Sequence, residues 1–288
     1  MFQLKDEKKC KKISSSKLSQ LIDESTFEST FFNKEDNNTY GHFSSIIKEI
    51  KDGEEGSHLV KIRPPLFYLN GVLSNLSRLI SGTGTRKILD NERWREKELE
   101  HLENLHPDVK IDETPFDNAF LIEKIDGKVA YDILRDEKTD KESKIKSIKK
   151  ITKGLYNIHK KDLYHGEPNT QNCILTENGE VYWIDFEIEY HPDLKMIERK
   201  SKDLEQLLLS IMGAFEEEGE LGIDDEELID LVLDSYDDKN VKSHFLKNPD
   251  APALGPFRML QLSFSNVYRF YQTQINLIKY ISNWEYDY

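Results

Sequence analysis

Cysteine is scarce in this 288-residue chain, which has only Cys10 and Cys173. Two distant cysteines do not form a disulfide framework, and no Cys/His cluster has the spacing of a zinc site. Long apolar runs are also missing, so no segment is predicted to span a bilayer. The N-terminus is charged and lacks the apolar core of a secretory signal. We therefore expect a reducing, cytoplasmic setting.

Basic charge is in short supply as well. Forty Lys and Arg residues stand against 54 Asp and Glu residues, which leaves a net charge of −14. General nucleic-acid binding normally needs a basic surface, so this class of function is not expected. The hydrophobic fraction of 37% over 288 residues is enough for a large core or for two lobes.

The first half of the chain is predicted to be rich in strands. Residues 1–36 are polar and weakly patterned, and we interpret them as an extension. Two β-prone runs, 43–50 and 58–63, flank the turn-forming sequence DGEEG and predict a hairpin. Residues 66–90 are interpreted as a helical or loop insertion. A charged helix over 91–105 and strands near 109–111 and 119–125 follow.

The second half is predicted to be mostly helical. Isoleucine and leucine recur at steps of three and four over 144–159, as on one face of a helix. Short strands at 173–175 and 181–184 flank Asn178-Gly179, a strong hairpin signal. A leucine-rich helix follows over 203–212. A last helical stripe is predicted to pack into the core, and it comprises Leu260, Phe264, Val267, Tyr271, Ile275 and Ile278. The sequence thus predicts an α+β fold with a small β-rich N-lobe (37–125) and a larger helical C-lobe (126–288).

The residues with the clearest chemistry surround that second hairpin. The polar loop His165–Asn172 holds the carboxylate Glu167 and, five positions later, the amide Asn172. Thirteen positions further, a strand ends at Asp185. One carboxylate to orient a hydroxyl, with an amide and a second carboxylate to hold Mg²⁺, suits phosphoryl transfer from a metal nucleotide.

These motifs, H-G-E-P-N-T-Q-N and D-F-E, resemble the catalytic loop and the metal-binding segment of the protein-kinase-like superfamily. The resemblance implies ATP and Mg²⁺ as cofactors, Glu167 as the group that orients or deprotonates the acceptor hydroxyl, and Asn172 and Asp185 as metal ligands. We interpret His165 as a structural residue that packs the loop. Where this family has aspartate, the chain has the longer Glu167.

The same resemblance implies roles for residues upstream and downstream. Lys61, with Arg63 as a nearby rival, would hold the α- and β-phosphates, and Glu98 would pair with Lys61. Glu123 and Ile125 would belong to the segment that binds adenine through its backbone. Asp203 resembles the buried aspartate that steadies the catalytic loop. No glycine-rich phosphate loop precedes Lys61, and Gly41 is the best candidate for that role.

The branch within the superfamily is indicated by a short spacing. Only 18 positions separate Asp185 from Asp203, with no A-P-E motif between them. This spacing resembles the atypical kinases, namely the RIO family, the small kinase of the KEOPS complex and the lipopolysaccharide (Kdo) kinases. We expect an atypical serine/threonine-type protein kinase. The alternatives are a small-molecule or lipid-sugar kinase, of the lipopolysaccharide-, choline- or aminoglycoside-kinase type, and a pseudokinase that binds nucleotide or a partner without transfer.

Overall fold

The computed structural model of the chain describes residues 39–42, 45–51, 57–64, 67–80, 83–249 and 267–286. The predicted extension over residues 1–36 lies outside these ranges. The described residues fall into two compact units. One unit contains the residues up to 74 together with 87–125, and the other contains 75–86 together with the residues from 126 onward.

The secondary structure mixes ten strands and eight helices within the described residues. The strands are β1 (Thr39–His42), β2 (Ser45–Lys51), β3 (Ser57–Ile62), β4 (Thr85–Lys87), β5 (Ile111–Glu113), β6 (Ala119–Glu123), β7 (Lys128–Val129), β8 (Cys173–Leu175), β9 (Val181–Trp183) and β10 (Ile188–Tyr190). The helices are α1 (Phe67–Ile80), α2 (Asn91–Leu105), α3 (Ala130–Arg135), α4 (Lys141–Lys160), α5 (Met196–Gly213), α6 (Asp225–Ser235), α7 (Lys239–Lys247) and α8 (Val267–Tyr286). A 3₁₀ turn spans Thr170–Asn172.

A five-stranded antiparallel sheet forms the core of the first unit, in the order β1-β2-β3-β6-β5. The predicted pairing of the strands on either side of residues 52–56 is confirmed, since β2 and β3 pair from Ile46–Ile62 to Lys51–Ser57. Val60 and Ile62 join a buried apolar cluster with residues of β2 and β6. Successive side chains of a strand point to opposite faces, so Lys61 faces away from that cluster.

Helix α2 supplies the second structural element that matters for the site. Asp90 caps its start by accepting the backbone N–H of Arg93 at 2.8 Å. Its end is marked by His106, whose backbone N–H donates to Leu102, and Pro107 follows. Trp94, Glu98 and Leu102 are four residues apart and all buried, so Glu98 lies on the packed face of the helix.

The second unit is built on two long helices and a three-stranded sheet. The periodicity predicted for α4 is confirmed, because Ile148, Ile151, Leu155 and Ile158 are all buried. Helix α5 is buried almost throughout its second half. Strands β7, β8 and β9 form an antiparallel sheet, and the predicted hairpin between β8 and β9 turns at Gly179, whose φ is +85°.

The last helix differs from its predicted packing. Tyr271, Ile275 and Ile278, which were expected in the core, are 49%, 52% and 45% exposed, and Leu260 and Phe264 lie outside the described residues. The buried face instead includes Phe270, Leu277 and Ile281. Two hydrogen bonds, of 2.6 and 2.9 Å, from the guanidinium of Arg269 to the carboxylate of Asp225 fix the rotation of α8 against α6.

The insertion also differs from its predicted place. It contains α1 and β4, and residues 75–86 pack with the second unit instead of belonging wholly to the first. Residues 75–86 belong to the second unit because β4 pairs with β10 in a two-stranded sheet. The remaining division agrees with the predicted class. The small antiparallel sheet part and the larger helical part confirm an α+β fold, consistent with a two-lobed protein-kinase-like fold. Among the described helices, none combines the length and apolar composition needed to cross a bilayer.

Candidate functional site

In the first unit, the predicted Lys61 and Glu98 are brought together. The Lys61 ammonium Nζ lies 2.5 Å from Oε1 of Glu98, and the two residues are 8% and 1% exposed. An ion pair this buried is costly to break, because removing one partner leaves an uncompensated charge away from water. The strand and the helix therefore present one lysine in a fixed position.

The rival basic residue, Arg63, has a packing role. Its guanidinium is centred 4.0 Å from the ring of Phe67 and 4.2 Å from the ring of Trp94. Nη1 also donates to the carbonyl oxygen of Ile88 at 2.9 Å. Arginine stacked between aromatic rings is well suited to join elements of the core. Lys61, two residues earlier, is the residue that meets the glutamate.

The other residues of this unit that were predicted to contact the nucleotide, Gly41, Glu123 and Ile125, differ in their surroundings. Gly41 lies in β1 opposite Ile46, and residues 43–44, which follow β1, are outside the described ranges. At the end of β6, the backbone N–H of Glu123 donates to the carbonyl oxygen of Lys110 at 2.8 Å, so this donor is already used within the protein. Ile125 follows the strand, and none of the backbone hydrogen bonds outside regular elements that join described residues involves it.

In the second unit, the loop that begins at His165 is held from below by Asp203. The carboxylate accepts the backbone N–H of His165 at 2.7 Å and that of Gly166 at 3.0 Å. The hydroxyl of Tyr190 donates to it at 2.7 Å. Burial alone would raise the pKa of Asp203, but its polar partners, His159 first among them, outweigh burial and hold that pKa below its ordinary value. Asp203 therefore remains a carboxylate that orders the start of the loop.

His165 joins this loop to the strand end at Asp185. Its Nδ1 accepts the backbone N–H of Glu167 at 3.2 Å, so its Nε2 carries the proton and donates to the carbonyl oxygen of Ile184 at 3.0 Å. The ring also packs against Trp183 and Phe186, with centroids 5.2 and 4.6 Å away. The side chain is fully buried, so its contacts are those of a packing residue.

Gly166 lets the chain turn between His165 and Glu167. Its φ is +88°, which side chains with a Cβ rarely adopt, and an added Cβ would lie 2.5 Å from the carbonyl oxygen of Ile188. Glycine is thus required twice at this position, by the backbone conformation and by the close approach of the segment after Asp185.

Glu167 makes an ion pair that the sequence did not predict. Its Oε1 lies 2.6 Å from Nη2 of Arg78, and the side chains are 14% and 5% exposed, respectively. Arg78 comes from α1, 89 residues earlier in the chain. One signal in the sequence pointed to it, because Arg78 is the single charged residue among the 14 residues of α1.

The predicted metal ligands are neighbours through their backbones. The N–H of Ile184, just before Asp185, donates to the carbonyl oxygen of Asn172 at 3.0 Å. The Asn172 side chain donates through Nδ2 to the carbonyl oxygen of Glu167 at 3.0 Å, which does not use Oδ1. Asp185 has φ +71°, a left-handed conformation that is uncommon for a residue other than glycine, although aspartate tolerates it better than most. Strain of this kind is common where a side chain is aimed for function.

These two residues suit Mg²⁺ in their chemistry. Both offer oxygen atoms, and Mg²⁺ typically takes one or two protein ligands and completes its shell with phosphates and water. Within the described ranges, no group of three or more His, Cys, Asp or Glu side chains is arranged to hold a metal ion.

The segment after Asp185 is short and paired. Strand β10 lies beside β4, the N–H of His191 donates to the carbonyl oxygen of Gly84 at 2.8 Å, and Arg86 contacts Glu189 at 3.2 Å. Helix α5 then begins at Met196. The insertion thus covers the edge of the strand that follows the predicted metal-binding segment.

Comparison with known proteins gives matches only among solved structures. No protein-family model and no curated protein matches the chain. The chain is similar to the Rv3197–erythromycin complex from Mycobacterium tuberculosis, with a TM-score of 0.42 and 14% identity over 79% of this chain and 60% of that one. It is also similar to a MAP kinase from Leishmania major, with a TM-score of 0.35 and 11% identity over 83% of this chain and 78% of that one. The chain therefore spans 60% of the length of the first of these structures.

Proposed function

We propose that this protein is an ATP- and Mg²⁺-dependent phosphotransferase that acts on a hydroxyl group. The observation that carries the proposal is the buried Lys61–Glu98 pair, with 2.5 Å between Nζ and Oε1. In protein kinases a strand lysine paired with a helix glutamate must be in place, together with the metal-binding aspartate, for transfer to occur. In this proposal Lys61 and Glu98 are that pair, and Asp185 would be the metal-binding aspartate.

In this mechanism each residue has a separate task. Lys61 holds the α- and β-phosphates, and Glu98 keeps the ammonium group in position. Asn172 and Asp185 would hold Mg²⁺, which neutralises charge on the phosphates when bound. The acceptor oxygen forms a bond to the γ-phosphorus as the bond from that phosphorus to the ADP oxygen breaks. The carboxylate of Glu167 takes the proton from the acceptor hydroxyl.

The acceptor we propose is a serine or threonine side chain, as the resemblance to atypical kinases implies. The pairing of β10 with β4 supports an atypical mode of acceptor binding, since it occupies the edge of the segment on which ordinary protein kinases dock peptides. Screening protein, sugar and amino-alcohol acceptors with labelled Mg·ATP separates this acceptor from the small-molecule and lipid-sugar alternatives.

The direct test of phosphotransfer uses Asp185→Ala. We expect the wild type to transfer label from Mg·ATP, or to autophosphorylate, and Asp185→Ala to lose this activity. Asp193→Ala is a matched control, because Asp193 lies in the same segment with its side chain 88% exposed. A folded Asp185→Ala protein with wild-type transfer would refute the site.

A second candidate is a nucleotide-binding module without transfer. The ion pair between Arg78 and Glu167 favours it, because one oxygen of the carboxylate that should receive the acceptor proton is already occupied. Stabilisation by Mg·ATP in a thermal-shift assay, with no turnover in either the wild type or Glu167→Asp, would support this candidate over the first.

A further inference from the structure

Arg78 is more deeply buried and more fully hydrogen-bonded than the arginine of a surface ion pair. Arg78 is only 4% exposed. Its Nη2 contacts Glu167, and its Nη1 donates to Oγ1 of Thr85 at 3.1 Å. Thr85 in turn shares a 2.7 Å hydrogen bond with Thr83, whose own hydroxyl donates to the carbonyl oxygen of Arg78. Thr85 therefore holds one nitrogen of the guanidinium while the other contacts the carboxylate of Glu167.

We infer that Arg78 is a positioning residue for Glu167, an inference that rests on the proposed function. A glutamate carboxylate reaches about 1 Å further than that of an aspartate, and a misplacement of this size can cost on the order of 100-fold in rate. A planar guanidinium that fixes Oε1 removes the rotational freedom that the extra methylene brings, and leaves Oε2 for the acceptor hydroxyl. The insertion thus compensates for the departure from aspartate in the catalytic loop.

The first test measures kcat and KM for Mg·ATP in Arg78→Gln. We expect kcat to fall about 10- to 100-fold, and KM for ATP to change by less than about threefold, because Arg78 acts through Glu167 and not on the nucleotide. Arg86→Gln is the matched control. It removes another arginine of the insertion from another carboxylate of the same unit, Glu189, and we expect its kcat to stay within about twofold of the wild type.

The second test is a cycle with Glu167→Asp, because a purely structural role would not produce coupling. The shorter aspartate loses the contact with Arg78, so adding Arg78→Gln to Glu167→Asp should change kcat by less than about threefold. If the fold-losses in kcat of the two single variants multiply in the double variant, the inference is overturned. If Arg78→Gln does not fold, Arg78→Lys keeps the charge without the planar fork. A kcat for Arg78→Lys equal to that of the wild type would then overturn it.

The outcomes also separate this inference from the function on which it rests. A wild type that transfers phosphate, loses it in Asp185→Ala and keeps its kcat in Arg78→Gln would overturn the positioning role alone. A wild type that transfers no phosphate to any acceptor would overturn both.

A different observation concerns the exposed face of α1. Four residues, which we call the α1 seam, follow one another at steps of four, three and four, and each is more than half exposed: Leu69 (62%), Leu73 (56%), Leu76 (51%) and Ile80 (58%). These are the steps of the apolar positions in a coiled coil. Tyr68, Val72 and Leu79 flank the seam and are also at least half exposed. A helix is the partner that this spacing fits.

We propose that the α1 seam packs against the α1 seam of a second copy of this chain. Seven large apolar side chains of one helix are each half or more exposed, and a contiguous exposed apolar patch of this kind marks an interaction site. Every copy carries the same seam, which allows a two-fold symmetric contact. A lipid surface fits less well, because such helices carry Lys and Arg on their polar side and the only charged residue of α1 is buried.

Sedimentation of the full chain between about 1 and 100 μM tests this proposal. We expect the wild type to dimerise and the double variant Leu73→Gln, Leu76→Gln to remain monomeric. The double variant Tyr271→Gln, Ile275→Gln is the matched control, since it changes equally exposed apolar residues on α8 and should dimerise like the wild type. A monomeric wild type, a dimer that survives the seam substitutions, or liposome binding that the seam substitutions abolish in a monomeric wild type would overturn it.

Discussion

The imidazole Nε2 of His159 lies 3.1 Å from Oδ2 of Asp203, and both side chains are buried. On its other side, the Nδ1 atom of His159 is hydrogen-bonded to the hydroxyl of Tyr236, the residue that caps the end of α6. Burial raises the pKa of Tyr236, so that hydroxyl stays protonated at neutral pH. A continuous polar chain therefore runs from the end of α6 to the backbone N–H groups that start the candidate catalytic loop.

Asp203 should make the stability of the protein depend on pH in the acid range. Its pKa is lowered from 3.8 by partners present only in the folded state. A carboxylate of this kind contributes stability above its unfolded pKa, and the contribution is lost as the pH falls below 3.8 and through the folded pKa. As the pH is lowered from about 5 to about 2, the free energy of unfolding by urea should therefore fall less for Asp203→Asn than for the wild type.

The control for this acid dependence is Asp162→Asn. The pKa of Asp162 is also lowered, by its hydrogen bond with Lys200, but its side chain is 84% exposed. Its effect on the pH profile should be much smaller. Parallel pH profiles for the wild type and Asp203→Asn would contradict the prediction.

Gly166→Ala should destabilise the protein by more than the backbone conformation alone explains. Left-handed φ costs an alanine about 1–2 kcal/mol, and the new Cβ would also lie 2.5 Å from the carbonyl oxygen of Ile188. Gly219→Ala separates the two effects, because Gly219 has φ +80° with no heavy atom within 4 Å of an added Cβ. Chemical denaturation should show a loss in free energy of unfolding for Gly166→Ala that exceeds the loss for Gly219→Ala. Equal losses would mean that the segment after Asp185 moves aside easily.

Removing one partner of the Lys61–Glu98 pair should lower the free energy of unfolding more than removing both partners. Lys61→Met leaves the buried Glu98 carboxylate without its partner, and we expect a loss of about 3–5 kcal/mol in the free energy of unfolding. The double variant Lys61→Met, Glu98→Leu should recover most of that stability but none of the transfer activity. Lys124→Met breaks the pair with Glu49, in which the lysine is 40% exposed, and should cost less than about 1 kcal/mol. Transfer activity in the double variant would exclude a role for this pair in catalysis.

Arg269 should fix α8 to the rest of the second unit. Arg269→Met leaves the carboxylate of Asp225 buried without its two hydrogen bonds from the guanidinium, and a loss of about 3–5 kcal/mol is expected. Limited proteolysis should then cleave near α8 faster than in the wild type. Gln272→Ala, one turn away on the same helix, removes an exposed contact with Glu218 and should leave the cleavage rate unchanged.

Local patterns were enough to predict much of the fold. The step of three and four over 144–159 gave α4, and Asn178-Gly179 gave the hairpin between β8 and β9, because each signal lies within the element that it describes. The final stripe failed for the opposite reason. The residues that recur on α8 are apolar, but the ion pair between Arg269 and Asp225, 44 residues apart, decides which face is turned inward.

In the candidate site, too, local features were predictable from the sequence and contacts between distant residues were not. The loop and Asp185 were predicted from their spacing along the chain. The partner of Glu167 was not, because 89 residues separate it from Arg78 and no periodicity links them. The pairing of β4 with β10 was missed as well, since strands of three residues carry too little pattern to be recognised.

The short ribbon of β4 and β10 has a consequence for engineering this chain. Deleting the insertion would remove the neighbour of β10 along with Arg78, and would leave the backbone N–H and C=O groups of β10 facing solvent as an open edge. Open edges recruit strands from other molecules. A trimmed version would therefore need a replacement strand, or a charged or proline-containing sequence at 188–190, before its loss of activity could be blamed on the chemistry of the site.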